Sequence, residues 1–152
     1  MATHRARPSW DSYFLKMAGV CAERATCPRR FVGAVIVRDN HPIATGYNGA
    51  PPGLAHCDED GCLLWEVNGR QSCQRATHAE QNAINTAAKF GHRTEGATIY
   101  VTDQPCLNCA KAIITAGIKR VVWAQGYPDP VSLQFLESAG LELVNLSPEE
   151  IQ

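Results

Sequence analysis

Several things are missing from this sequence, and each absence removes a class of function. No apolar run approaches the ~20 residues needed to span a bilayer, so no membrane-embedded role is expected. The start, Met1-Ala2-Thr3-His4-Arg5-Ala6-Arg7, lacks the apolar stretch of a secretory signal. Neither sign of charge dominates: 14 basic residues face 15 acidic ones, a net charge of −1. A cationic face for polymeric nucleic acid or for a membrane surface is therefore not expected, although a local patch is compatible with the balance. Internal repeats, linkers and low-complexity tracts are absent as well. At 152 residues the chain is expected to form one domain over residues 1–152, with its core at about 7–145. What the chain does have is seven cysteines. An odd number without an export signal argues against a disulfide framework and for metal or catalytic use in a reducing cytoplasm.

Hydrophobic spacing organises the chain. Ser9 is a candidate helix cap, and Trp10, Tyr13, Phe14, Met17 and Cys21 recur at helical spacing through about Ala25, which predicts a core-facing stripe. Val32 to Val37 reads as a buried strand, Asp39-Asn40 as a turn, and Pro42 to Gly46 as the hairpin partner. Tyr47 to Ala76 shows no period. A loop of ~30 residues inside a domain calls for a functional or metal-bound explanation. Helices are predicted for Thr77–Phe90, Pro105–Ala116 and Val131–Ala139, each with a glycine just past its end. Strands are predicted at Thr98–Val101, Lys119–Ala124 and Leu141–Asn145. This alternation predicts an α/β layer whose later strands are mainly parallel.

Two helix starts carry the chemistry. Thr77-His78-Ala79-Glu80 opens one, and Pro105-Cys106-Leu107-Asn108-Cys109 opens the next. Cysteines three apart at a helix N-terminus share a face, and the positive end of the helix dipole favours their thiolates. With His78 added, three soft or borderline ligands suit tetrahedral zinc and leave its fourth position open, as in catalytic sites. Residues two apart in an ideal helix diverge by ~200°. His78 and Glu80 can therefore converge only at the open end of a first turn. A carboxylate there can take a proton from water and pass it to a leaving nitrogen. Thr77 with Glu80 also spells a capping box, which would be purely structural. The combination His-x-Glu followed by Pro-Cys-x-x-Cys is the signature of zinc nucleobase deaminases.

These motifs resemble those of the cytidine deaminase superfamily, and the surrounding segments resemble deoxycytidylate (dCMP) deaminases within it. Arg7 to Asp11 with Tyr13-Phe14, Thr26-Cys27, Thr45 to Pro51, His56-Cys57, His78 to Ile84 and Tyr100 to Val121 follow in the family's order, so the resemblance runs from Arg7 to about Val144. It implies a three-layer α/β/α fold around a five-stranded mixed sheet, and hydrolysis of dCMP to dUMP and ammonia, the supply of dUMP for thymidylate synthesis. It implies His78, Cys106 and Cys109 as ligands of a catalytic zinc, Glu80 as proton shuttle and Asn48 as a sugar contact. The 5′-phosphate needs cationic or backbone donors. Arg29 and Arg30 are the candidates, with Arg75 and Tyr127 behind them.

Some dCMP deaminases hold a second, structural zinc, with cysteines matching Cys27 and Cys57. Cys62 and Cys73 would complete a closed four-sulfur site, with His56 as an alternative to one of them. The resemblance further implies a homo-oligomer, with a hexamer as one form. It also implies activation by dCTP and inhibition by dTTP through the Gly46-to-Gly53 segment. Alternative readings are a deaminase of another target, such as modified dCMP or tRNA adenosine, and a non-catalytic zinc scaffold of the same fold.

Overall fold

The computed structural model describes residues 4–126 and 129–151. Ser9 caps the first helix, α1 (Trp10–Ala22), its hydroxyl accepting from the Ser12 N–H at 3.1 Å. A hairpin follows, β1 (Gly33–Arg38) and β2 (His41–Tyr47), turned by Asp39 and Asn40, both at positive φ. Next come a single turn of helix, α2 (Cys57–Asp60), and a second hairpin, β3 (Leu64–Val67) with β4 (Arg70–Cys73). Helix α3 (Ala79–Lys89), β5 (Thr98–Asp103), α4 (Leu107–Thr115), β6 (Arg120–Gln125), α5 (Pro130–Ser138) and β7 (Glu142–Asn145) complete the described chain. Among the described residues, no helix is long and apolar enough to cross a membrane.

The main sheet has five strands in the order β2-β1-β5-β6-β7. β1 is antiparallel to both its neighbours, while β5–β6 and β6–β7 are parallel. This is the mixed sheet with parallel later strands that the sequence predicts. Strand periodicity divides the core between its two faces. Ala34, Ile36, Ile99, Val101, Val121 and Trp123 meet α3, α4 and Leu136 of α5. Val35, Val37, Tyr100 and Val122 meet Phe14, Leu15 and Ala18 of α1. The result is the expected three-layer α/β/α arrangement.

Close helix–sheet approach rests on missing side chains. A Cβ on Gly33 would lie 1.9 Å from the Ala18 carbonyl oxygen of α1, and one on Gly46 would lie 2.3 Å from that of Ala79 in α3. Ala79, Ala83 and Ala87 form the small-residue stripe on the α3 side. These contacts fix the depth at which α3, and with it the functional end of the molecule, sits on the sheet.

The predicted α1 stripe is rotated from its observed position. Phe14 is buried, but Trp10 and Tyr13 are exposed, and Leu15, Ala18 and Ala22 fill the core instead. Trp10 and Phe14 stack with ring centroids 5.6 Å apart, so the outer aromatics shield a core narrower than their spacing suggests. Asp11 ties α1 to the sheet. Its carboxylate receives two hydrogen bonds from the Arg120 guanidinium, both 2.6 Å, and one from the Tyr100 hydroxyl at 2.7 Å. The Arg120 bonds, against the opposing effect of burial, hold Asp11 below its usual carboxylate pKa. A depressed carboxylate stabilises the fold above its unfolded value of ~3.9, and that contribution is lost as pH falls through the folded value. Asp11→Asn is thus expected to cost about 2 kcal/mol, roughly 4–8 °C in Tm, at neutral pH. In melting curves against pH the gap to the wild type should close below about pH 4; a gap constant down to pH 2 would refute the linkage.

Candidate metal centres and cavity

His78 and Cys106 are the N-caps of α3 and α4, so both have extended backbone and stand outside their helices. That resolves the divergence of residues two apart: His78 lies before the helix, and Glu80 is already in its first turn. The anticipated Thr77–Glu80 capping box does not form, because the cap is His78 and no side-chain cap bond is made. Glu80 is buried instead, at 4% exposure. The approach to His78 is pinned by paired bonds between the Gly49 and Thr77 backbones, 3.2 and 2.8 Å, and by Asn82 Nδ2 donating to the Tyr47 carbonyl at 2.8 Å.

The Nδ1 atom of His78 lies 3.2 Å from Cys109 Sγ and 3.5 Å from Cys106 Sγ. Around tetrahedral zinc, with Zn–S of about 2.3 Å and Zn–N of about 2.0–2.1 Å, ligand N···S separations are about 3.5 Å. The donor set and its spacing fit that ion. The three groups also exchange hydrogen bonds with one another. Hydrogen bonding from Cys109, then from His78, holds Cys106 near 4, a thiolate at neutral pH. The same Cys106 contact and burial push Cys109 upward, and the Cys106 hydrogen bond raises His78. Burial raises Glu80 against the lowering effect of the His78 charge.

A second group comprises Cys27, Cys57, Cys62 and Cys73. Cys27 and Cys62 sulfurs are 3.7 Å apart, and Cys57 and Cys73 sulfurs are 3.5 Å apart. Four sulfurs on tetrahedral zinc stand about 3.8 Å apart. This set fits as well, and all seven cysteines of the chain are free thiols. Burial and hydrogen bonding with Cys73 push Cys57 up. At Cys73 burial works in the same upward direction, but backbone bonds from Ala76 and Arg75 prevail and hold it near 6. His56 is not part of the group. Its Nδ1 meets Thr26 Oγ1 at 2.8 Å and the Ala50 N–H at 3.2 Å, so it braces the loop before α2.

Both groups border one cavity of about 370 Å³, whose lining includes His78, Glu80 and Cys106 together with Cys27 and Cys73. Arg29, Arg30 and Asn48 line it as well. Arg29 donates to the Gln71 carbonyl at 3.2 Å, and Arg30 Nε to Asp103 Oδ2 at 2.6 Å. Asn48 clamps the loop between them and β1: its amide donates to the Arg30 carbonyl at 2.7 Å and accepts from the Val32 N–H at 2.8 Å. Arg75 is not in the cavity lining; it donates to the Gly61 carbonyl at 2.8 Å and braces the second cysteine group. Tyr127 lies outside the described residues. The sequence reading missed Gln71, Ser72, Asp103 and Gln104, all on the cavity wall. The first two stand on β4, whose signal was the Asn68-Gly69 turn, observed with both residues at positive φ.

The family of the cytidine and deoxycytidylate deaminase zinc-binding region matches residues 8–125. The chain belongs to this family. Among its relatives, the ComE operon protein 2 of Bacillus subtilis is 45% identical over 95% of this chain and 75% of its own length. The deoxycytidylate deaminase of Schizosaccharomyces pombe is 41% identical over 97% of this chain, which spans just under half (47%) of that protein. The crystal structure of the dCMP deaminase of cyanophage S-TIM5, in complex with dCMP and dUMP, superposes with a TM-score of 0.78 at 28% identity. The match covers 93% of this chain and all of that one. A family zinc region and two clusters of metal-ligating type thus coincide in one molecule.

Proposed function

We propose that this deaminase hydrolyses dCMP to dUMP and ammonia, with His78, Cys106 and Cys109 holding the catalytic zinc and Glu80 carrying the protons. The observation that carries this reading is the placement of buried Glu80 on the wall of the cavity that His78 and Cys106 also line. Zinc, when bound there, supplies a Lewis acid that brings the pKa of water to ~7. Glu80 takes one proton from the attacking water as the water oxygen bonds to C4 of the cytosine, and passes it to N3. It takes the second proton from the new C4 hydroxyl and gives it to the amine, so that the C4–N bond breaks to leave the C4 carbonyl and ammonia. Burial favours the protonated carboxyl, which suits a group that must hold a proton between the two transfers. Asn48 borders the space for the sugar, and Arg29 and Arg30 supply the charge for the 5′-phosphate.

The same reading assigns Cys27, Cys57, Cys62 and Cys73 to a structural zinc, and the chain to a reducing compartment, the cytoplasm, where thiols persist as ligands. It extends to dCTP and dTTP as effectors. Tyr47, Ala50, Pro51 and Pro52, from the Gly46-to-Gly53 segment, line a second cavity of about 350 Å³ that also contains Asn82, Asn85 and Lys89. Apolar side chains left exposed on the surface, among them Trp65 and Val67 of the second hairpin, favour assembly into a homo-oligomer.

Ammonia release with dCMP, dCTP, deoxycytidine and deoxyadenosine offered side by side tests the substrate. We expect dCMP to be preferred over deoxycytidine in kcat/KM by at least about 100-fold, the combined effect of charge-assisted bonds to one phosphate. Equal rates on both would remove the nucleotide assignment, and a preference for deoxyadenosine would remove the pyrimidine one.

A further inference from the structure

Asp103 closes β5, three residues before the Cys106 cap of α4. Strand alternation puts it on the same face as Ile99 and Val101, the face that carries α3 and α4. Its carboxylate lines the cavity with a side chain 11% exposed, and its partner Arg30, 2.6 Å away, is 46% exposed along that lining. Arg30 is anchored at both ends. Its peptide is held by the Asn48 amide at 2.7 Å and by its own N–H donating to the Cys27 carbonyl at 3.3 Å. Its guanidinium has room because residue 126 is glycine. A Cβ there would stand 3.3 Å from Arg30 Nη2, 3.2 Å from Asp103 Cβ and 2.9 Å from the Gln104 nitrogen.

We infer that Asp103 is the positioning residue for the phosphate, acting through Arg30; this rests on the reading that Arg30 meets the 5′-phosphate of the nucleotide. An arginine on an open wall has many rotamers to lose on binding, whereas one already held through Nε loses fewer. The carboxylate engages Nε and directs the planar fork. It also balances a permanent positive charge in a cavity that borders a dication-binding group. An ordinary structural ion pair would instead serve the fold alone, and the two roles separate kinetically.

The test compares kcat/KM for dCMP and for deoxycytidine in the wild type, Arg30→Ala, Asp103→Ala, Asp103→Asn and the Arg30→Ala/Asp103→Ala double variant. The readout is the ratio between the two substrates. Arg30→Ala should lower it about 100-fold, and Asp103→Ala about ten-fold, mainly through the KM for dCMP. Asp103→Asn should fall between wild type and Asp103→Ala, because its amide oxygen still accepts from Arg30 Nε. The double variant should be no worse than Arg30→Ala alone, since Asp103 has nothing left to act through. Equal losses on both substrates in the Asp103 variants, or losses that multiply in the double variant, would overturn the inference and leave an ion pair of the fold. A ten-fold or larger fall for Arg30→Ala with no change in either Asp103 variant would overturn the inference while the phosphate reading stands. An unchanged ratio in Arg30→Ala would overturn both. Asp103→Asn, which keeps the shape and one hydrogen bond, gives the reading if Asp103→Ala does not fold.

Discussion

Glu80→Gln is expected to lower kcat on dCMP by a factor of about 10³–10⁴ while the protein keeps its metal and its fold. The magnitude follows from what the side chain does twice in one turnover. It accepts a proton from water and then supplies protons to the ring and to the leaving amine, and a carboxamide can do neither. The metal should be unaffected because none of the three ligand atoms belongs to Glu80. Stability should hold or rise. Glu80 is 4% exposed, and burial disfavours its charged form, so a neutral isostere removes a desolvation cost the wild type carries for function. Metal analysis, steady-state kinetics and a melting curve on one preparation decide it. A variant retaining a tenth of the wild-type rate would refute the proton-carrier assignment. Loss of metal together with activity would show that Glu80 belongs to the binding of the ion.

The fold and the clustering of His78, Cys106 and Cys109 were legible because each rests on local signals that agree. His78-Ala79-Glu80 and Cys106-x-x-Cys109 sit at helix starts announced by their own spacing, and the buried strands announce themselves by apolar runs. Where the reading missed, a tertiary term outweighed the local one. The α1 stripe counted Trp10 and Tyr13 as core, yet the close approach at Gly33 rotates the helix so that Ala18 and Ala22 face the sheet. The capping box at Thr77 and Glu80 satisfied a sequence rule but not the geometry, because the cap is His78. Hairpin β3–β4 carries its turn in Asn68-Gly69, but its flanks do not alternate. Leu64, Trp65, Glu66 and Val67 are all exposed, so the period that normally marks a strand is absent. Arg75 and His56 were legible as residue types but not as positions. Both lie near the second cysteine group as braces, a role that depends on where neighbouring carbonyls and hydroxyls fall.

That second group yields the other large effect. Metal analysis of the wild type is expected to return two zincs per chain, and Cys73→Ser to return one. The four sulfurs come from three separate stretches: Cys27 after α1, Cys57 and Cys62 around α2, and Cys73 at the end of β4. Between them lies a hairpin whose β3 side chains are all exposed, so apolar burial does little to order it. Structural zinc in small peptides contributes about 10–16 kcal/mol of apparent binding free energy that becomes folding free energy. In this chain the sheet and its two helix layers have their own core, so the loss should be local rather than global. Amide exchange should accelerate by several orders of magnitude across 57–76, while β1, β5 and β6 stay protected. The consequence reaches catalysis because Gln71, Ser72 and Cys73 form one wall of the cavity proposed to take the substrate, and Gln71 holds Arg29 through its carbonyl. KM for dCMP should therefore rise by roughly ten-fold or more, with kcat reduced less, since Glu80 and Cys109 stand on α3 and α4 and His78 and Cys106 cap them. A single zinc in the wild type, unchanged by Cys57→Ser, would remove the four-sulfur site. Two zincs in the wild type with an unaltered KM in Cys73→Ser would keep the site but detach it from the cavity wall.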